Sequence, residues 1–534
     1  PPPSFSVWER PSPERTPFPD DGTARRGVLY WQDMTAAGPN PRTNRPLVLA
    51  TLMLSMFMGS IEGTIVATAM PDIVGSLGGF SYYSWVFSAY LLMQAVATPI
   101  FGRLADLYGR KPVFFTGVSI FLVGSILCGL APNMIWLIVF RFIQGLGAGG
   151  IAPITMTIIG DIYDVEGRAK IQGWLASVWG VSSILGPLAG GLIVQNWHWA
   201  WIFWLNIPFG ILAIAGLSLF LHEEIEKRQR SVDYLGAGLF FVAVTAMMMV
   251  LIQGGSAWAW DSPQVLSLSG VAVVGFILFL LQETRAKEPI MPLEVWRQRL
   301  IATANTTTLI AGMVMIGLTT FLPTFVQGVM GRDAVTAGFA LTAMSVGWPI
   351  SSTLTGRLLL RFGNRNLTVW GALLLVAGAT VLITLDPASS PLQAGFGSFL
   401  VGFGMGSLNT SSVVAIQSTV SWQMRGMATA SNVFTRNLGN ALGAAVFGSI
   451  LNTVILSSLR GQGLPASLDD IRHLLDGGVG TVQTDPALQG ALTSGLGAVY
   501  IAVLVAAVLA LLLALLMPEV LKRGQARASA EQVG

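Results

Sequence analysis

Hydrophobic residues in this chain fall in long unbroken runs, without the strict alternation of a half-buried strand. Apolar stretches of eighteen or more residues recur from about residue 47 to residue 517, with short polar segments between them. A run of that length crosses a hydrocarbon core of ~30 Å as a helix and satisfies its own backbone hydrogen bonds there. The pattern predicts fourteen spans, at 47–70, 83–101, 112–131, 135–159, 169–194, 200–221, 235–253, 264–282, 301–326, 336–360, 367–385, 391–416, 427–457 and 494–517. The predicted fold class is an all-α polytopic membrane protein.

The placement of charge tests that count. Six of the 30 Lys and Arg precede the first span. Counting alternate loops from an internal N-terminus, the inner loops and the C-terminal tail hold nineteen more, and the outer loops hold three (Arg332, Arg460 and Arg472). The remaining two, Arg141 and Arg436, lie within spans. Cytoplasmic loops are the ones enriched in Lys and Arg, so both termini are expected in the cytoplasm of a multi-pass cell membrane protein. A miscount by one span would invert every later loop. Composition agrees: of 534 residues 53% are apolar and 11% charged, where a soluble domain would carry about 25% charged residues. The proline-rich segment 1–45 is expected to be a disordered cytoplasmic tail, and 518–534 a second cytoplasmic tail. The first span is too long for a signal peptide and follows a polar stretch, so no cleavage is expected. In the long outer loop 458–493, Ser467-Leu-Asp-Asp470 resembles a capping box with Asp in the Glu position. It opens either a short amphipathic helix at 471–475 or a plain solvated loop. Cys128 is the sole cysteine and His198, His222 and His473 are far apart, so no disulfide framework or metal site is expected.

The chain also repeats itself. Gly102-Arg-Leu-Ala-Asp-Leu-Tyr-Gly-Arg-Lys-Pro-Val113 is a basic loop between two apolar spans, and Gly356-Arg-Leu-Leu-Leu-Arg-Phe-Gly-Asn-Arg365 follows it 254 residues later. Leu360 stands where the first copy has Asp106. Leu185-Gly-Pro-Leu-Ala-Gly190 pairs with Leu438-Gly-Asn-Ala-Leu-Gly443 at an offset of 253, and Gly145-Leu-Gly-Ala-Gly149 with Gly402-Phe-Gly-Met-Gly406 at 257. Similar offsets in the same order point to two homologous halves. The repeats skip the spans at 235–282, so the predicted domains are a six-helix half at 46–222, an inserted pair at 234–282 and a six-helix half at 300–517. The first loop resembles the signature G-x-x-x-D-x-x-G-R-[KR]-x between helices 2 and 3 of the major facilitator superfamily of secondary transporters. Gly102, Arg103, Asp106, Gly109, Arg110 and Lys111 carry the likeness. It implies that this loop docks on the second half and stabilises an outward-open state.

Among 27 Asp and Glu, Glu62 alone lies deep in an apolar span, where a carboxylate is costly unless paired, protonated or wet. Its surroundings, Ile61-Glu-Gly-Thr-Ile-Val-Ala-Thr-Ala-Met-Pro71, resemble the first-helix motif L-D-x-T-I-V-N-V-A-L-P of the 14-span drug:proton antiporters, with Glu for Asp and Ala for Asn. The resemblance implies a role in proton coupling; the alternative is a carboxylate that only ties helices together. Arg141, in Arg141-Phe-Ile-Gln-Gly-Leu-Gly-Ala-Gly149, resembles the fourth-helix R-x-x-Q-G-x-G. At 1.5 Å per residue both groups lie roughly 12–14 Å below the outer surface, so Arg141 is the expected partner of Glu62, unless it snorkels or binds carbonyls. Leu185-Gly-Pro-Leu-Ala-Gly-Gly191 resembles the exporters' fifth-helix motif, in which Pro187 would kink the span and Gly186 and Gly190 would pack closely as a hinge and seal between halves. Trp199-Ala-Trp-Ile-Phe-Trp-Leu-Asn-Ile-Pro-Phe-Gly210 resembles the antiporters' W-R-W-I-F-x-I-N-V-P-x-G, with Ala200 in the Arg position, and Arg436-Asn-Leu-Gly-Asn-Ala-Leu-Gly443 their R-x-L-G-x-A-x-G.

The resemblance covers about residues 46–520. It implies a proton-coupled exporter of amphipathic small molecules that works by alternating access, driven by the proton motive force with no cofactor and no metal. The alternative within the same class is an exporter dedicated to one neutral or anionic metabolite or lipid. Candidate cavity residues are Gln94, Asn305, Gln327, Asn409, Gln417, Asn432 and Arg436. An enzyme is not expected: no nucleophile–base set is visible, and the glycine-rich run at 145–150 lies inside a span with no phosphate-binding Lys. The expected partners are protons, lipid and an amphipathic substrate, with no nucleic acid and with the chain acting as a monomer.

Overall fold

The computed structural model of the chain describes residues 43–78, 82–223, 233–254, 258–286, 288–289, 291, 293–461 and 486–521. Fourteen long helices account for most of them: α1 (Arg45–Leu77), α2 (Tyr83–Tyr108), α3 (Arg110–Gly129), α4 (Met134–Ile162), α5 (Val165–Asn196), α6 (Asn206–Phe220), α7 (Tyr234–Gln253), α8 (Pro263–Glu283), α9 (Arg299–Thr324), α10 (Ala334–Phe362), α11 (Asn364–Ile383), α12 (Pro391–Thr419), α13 (Arg425–Gly461) and α14 (Pro486–Leu515). A single turn, Trp201–Trp204, precedes α6, and a π-helical turn, Phe325–Val329, continues α9. Among the described residues thirteen helices are long and apolar enough to cross a membrane. The remaining one, α10, covers the predicted span 336–360 and is 29 residues long, but Thr, Ser and Gly dilute its hydrophobicity. The predicted short helix at 471–475 lies outside the described residues, as do 1–42 and 522–534.

Local chemistry sets the helix ends. Asn133, Asp164, Asp233, Ser262 and Asp333 each accept a backbone amide of the first turn they precede, as N-caps do. Gly109 and Gly363 hold φ of 95° and 87° between α2 and α3 and between α10 and α11. Only glycine adopts that region without strain, which is why both copies of the repeated loop carry it.

The helices pack as two related sets. In the first half α3 lies on α4, α2 on α4, and α1 on α5; in the second, α11 lies on α12, α10 on α12, and α9 on α13. Two seams join the halves, α2 against α13 and α5 against α10, and each is the pseudo-symmetric counterpart of the other. The inserted pair covers one of them. Helix α7 packs on both α2 and α13, with Phe240 5.6 Å from Phe434 and 5.1 Å from Phe279 on α8.

Candidate functional site

Glu62 is fully buried on α1, and the structure surrounds it with donors. Arg141 Nη1 of α4 lies 2.5 Å from Glu62 Oε1, and Asn206 Nδ2 at the start of α6 donates to Oε2 at 2.6 Å. Gln144, one turn after Arg141, accepts from Arg141 Nη1 at 2.7 Å and donates to Ser125 Oγ of α3 at 2.7 Å. Asn206 reaches the same hydroxyl at 3.1 Å. Arg141 also donates Nε to the Val86 carbonyl at 3.1 Å, and its guanidinium stacks on the Tyr90 ring at 4.2 Å. Five helices of the first half thus converge on one ion pair, each oxygen of the carboxylate holding a strong donor. Charge-assisted bonds of this kind are the shorter and stronger class, and in a low-dielectric setting their loss is correspondingly costly. The hydroxyl of Tyr90, buried beside the pair, has no hydrogen-bond partner among the described residues.

The second feature is the loop end of the bundle, around residues 102–113. Asp106 accepts the amides of Gly426 and Met427 at 2.8 and 2.7 Å, so a carboxylate of the first half caps the N-terminus of a helix in the second. The helix dipole favours an anion there. Arg110 pairs with Asp106 at 3.1 Å and with Asp161 at 2.8 Å, donates to the Trp422 carbonyl at 2.6 Å, and stacks on the Trp422 ring at 3.9 Å. Arg425 closes the group by bonding the other oxygen of Asp161 at 2.6 Å. A Cβ on Gly102 would collide with Ala430, so the close approach of α2 and α13 requires glycine at that position. Lys111 turns the other way, donating to the carbonyls of Ser218 and Leu221 at 2.8 and 2.9 Å. Arg103 pairs with Glu288, beyond the inserted helices, at 2.6 Å.

The remaining predicted residues divide. Asn432 donates to Asn305 at 3.0 Å and to Thr308 at 3.1 Å, and Arg436 donates to Asn409 at 3.3 Å, so four candidates of the second half form one polar stripe on α9, α12 and α13. Gln94 is half-buried on α2, and Gln327 half-buried in the π-helical turn. Gln417 sits at the loop end, where the Asp106, Arg110, Asp161 and Arg425 contacts latch the halves together: its amide donates to the Met156 carbonyl of the first half at 3.0 Å. Gly186 and Gly190 face Thr64, Ile65 and Thr68 of α1, inside their own half, and Pro187 is exposed. On α5 the glycines facing the second half are Gly173, against Thr353, and Gly180, against Ser345. Sequence reasoning did not single out Asn206, Gln144 or Asp161. The first two were visible as letters of the quoted motifs; Asp161 carried no signal beyond its position at a span end.

Residues 52–444 match the Major Facilitator Superfamily. Multidrug transporter protein MdtP of Bacillus subtilis is 37% identical over 415 residues, covering 77% of this chain and 76% of that protein. Multidrug resistance protein 3 of the same organism is 36% identical over 412 residues, covering 77% and 80%. Among solved structures, the human organic anion transporter MFSD10 superimposes with a TM-score of 0.61 over 89% of this chain and 100% of its own, at 14% identity. The proton:xylose symporter XylE does so with a TM-score of 0.56 over 87% and 94%, at 12% identity. At these identities the structural likeness is one of fold.

Proposed function

The chain belongs to the major facilitator superfamily, and from that premise we propose that it exports amphipathic small molecules across the cell membrane in exchange for protons. The observation that carries the coupling is the Glu62 site: a carboxylate with no exposed surface, held by Arg141 on one oxygen and Asn206 on the other. Protonation removes the charge that Arg141 pairs with. The guanidinium is then left among Val86 O, Gln144 and the Tyr90 ring, which are weaker partners, and the packing of α1 against α4 is free to change. The closed loop end supports reading this arrangement as outward-facing, with that end in the cytoplasm and both termini on the same side. The relatives named as multidrug transporters support a drug-sized cargo. The driving force is the proton gradient, and the chain acts as a monomer.

The test is substrate-induced proton movement in proteoliposomes, wild type against Glu62→Gln. The expected result is proton flux that depends on an added organic compound and falls at least tenfold in the variant. Normal transport by Glu62→Gln against a pH gradient would overturn the coupling role. A dedicated exporter of one anionic compound is the second reading, and Arg436 favours it.

A further inference from the structure

Arg436 stands eleven residues into α13, about 16 Å along the axis from the latch at Arg425, which puts it at the middle of the bundle. It is half-buried, and among the described residues its one hydrogen bond is the 3.3 Å contact to Asn409. Among the described residues no carboxylate pairs with it and no aromatic ring stacks under it. The other deep guanidinium, Arg141, is fully enclosed and neutralised by Glu62. The middle of the bundle therefore carries one uncompensated positive charge. A cation at that depth is expensive unless something pairs with it.

The groups around it extend the same chemistry. Asn432, Arg436 and Asn440 recur at intervals of four on α13 and so share a face. Asn305 Nδ2 is buried without a partner among the described residues, on a residue with no exposed surface, one turn toward the latch. Among the described residues Asn440 Oδ1 is likewise a buried acceptor without a partner, so the orphan amide groups balance and the donor excess of the stripe comes from the Arg436 guanidinium. Glu62, the deep acid that would attract an organic cation, has both oxygens filled by protein donors.

We propose that Arg436, with Asn409 beside it, binds the anionic group (a carboxylate, sulfonate or phosphate) of an amphiphilic substrate. The inference rests on the exporter reading for its biological sense, but the binding site stands or falls separately. The guanidinium supplies two parallel donors to an oxyanion, and the Asn305 amide supplies a further donor one turn away.

The experiment titrates purified protein in nanodiscs of zwitterionic lipid with three matched fluorescent probes: a long-chain carboxylic acid, its methyl ester and the corresponding tertiary amine. The ratio of acid to ester affinity is read for wild type, Arg436→Lys, Arg436→Gln and Asn409→Asp. In wild type the acid is expected to bind at least tenfold more tightly than the ester. Arg436→Gln is expected to lower that ratio at least tenfold, with Arg436→Lys in between. Asn409→Asp places a carboxylate beside the guanidinium without changing side-chain size, and is expected to abolish the preference for acid and raise affinity for the amine. An unchanged ratio in both Arg436→Gln and Asn409→Asp overturns the site, as does a wild type that prefers the amine. A second set of nanodiscs containing anionic phospholipid identifies the source of the ligand: weaker acid binding there means a lipid headgroup takes the same site. Transport separates the two readings. Glu62-dependent export of the amine with no acid preference sinks the site and leaves the exporter. Acid binding that depends on Arg436 without transport of any probe supports the site and sinks the exporter.

Discussion

Asn206 holds Glu62 Oε2 through one of its amide hydrogens, and the loss of that donor is the cleanest probe of the network at the scale of single residues. In Asn206→Leu a buried carboxylate oxygen is left unpaired, which costs about 1–3 kcal/mol. The thermal unfolding midpoint in detergent is expected to fall by a few degrees. In a Glu62→Gln background the same substitution is expected to cost less, because the two groups share one interaction; equal losses in both backgrounds would reject the coupling. A second residue-scale expectation concerns Asp333, the N-cap of α10. The Thr336 hydroxyl first, and the Thr336 amide at 3.1 Å second, bond its ionised form and hold its carboxyl below the usual carboxylate range. A group with a lowered folded value contributes stability above its unfolded value and loses it as pH falls through the folded one. Asp333→Ala is expected to speed hydrogen exchange in the first turn of α10 near neutral pH, and the difference from wild type is expected to vanish in acid. The Glu62–Arg141 pair was legible because a lone deep acid and a deep base at equal depth leave little choice of partner. Asp161 was not: at the end of a span it reads like any loop acid, and its partner Arg425 is 264 positions away. Gln417 was expected in the cavity and lies at the latch, because α12 is buried on nearly every side near its end and hydropathy does not say which side faces what.

The two seams are built from the same helices in exchanged roles, yet they are closed by different chemistry. At α2/α13 the joint is polar: Asp106 caps α13 and the Arg110–Asp161–Arg425 group ties the ends. At α5/α10 the equivalent of Asp106 is Leu360, and the contact is backbone against backbone, Gly356 on Ala169, with buried Leu359 beside it. Opening the first seam must hydrate charges and helix amides, while the second, where Gly173 meets Thr353 and Gly180 meets Ser345, has no ion pair across it among the described residues. Asp106→Asn keeps the side chain's size and removes its charge, so it weakens the first seam selectively. With Cys128 replaced by Ser and spin labels at Tyr108 and Gln423, both exposed at the loop end, the variant is expected to gain a longer-distance population absent from wild type. An unchanged distance distribution would mean that the latch does not set the balance of states.

At the scale of the whole molecule, both the repeat and the inserted pair were readable, since each span announced itself by length and the repeat offsets skipped two of them. What the apolar runs do not encode is where the extra pair sits; its place over the α2/α13 seam depends on shape matching, as between Phe240 and Phe434. The Lys and Arg bias predicts an orientation with both termini inside, and that expectation has a direct check. In a Cys128→Ser background, a cysteine at Ser389 is expected to react with an impermeant maleimide on intact cells, and one at Asn366 only after permeabilisation. The converse pattern would invert the assignment of inside and outside. Interior prolines interrupt α1, α2, α4, α5, α9 and α10, whereas α13 runs 37 residues without one. It starts on the Asp106 cap and carries Arg436 three turns later. Lock and cargo grip therefore ride on a single stiff rod. A tilt of that rod loosens one end as it moves the other, so a substrate pulling on the guanidinium is geared to the latch mechanically, with no chain of side-chain rearrangements between them.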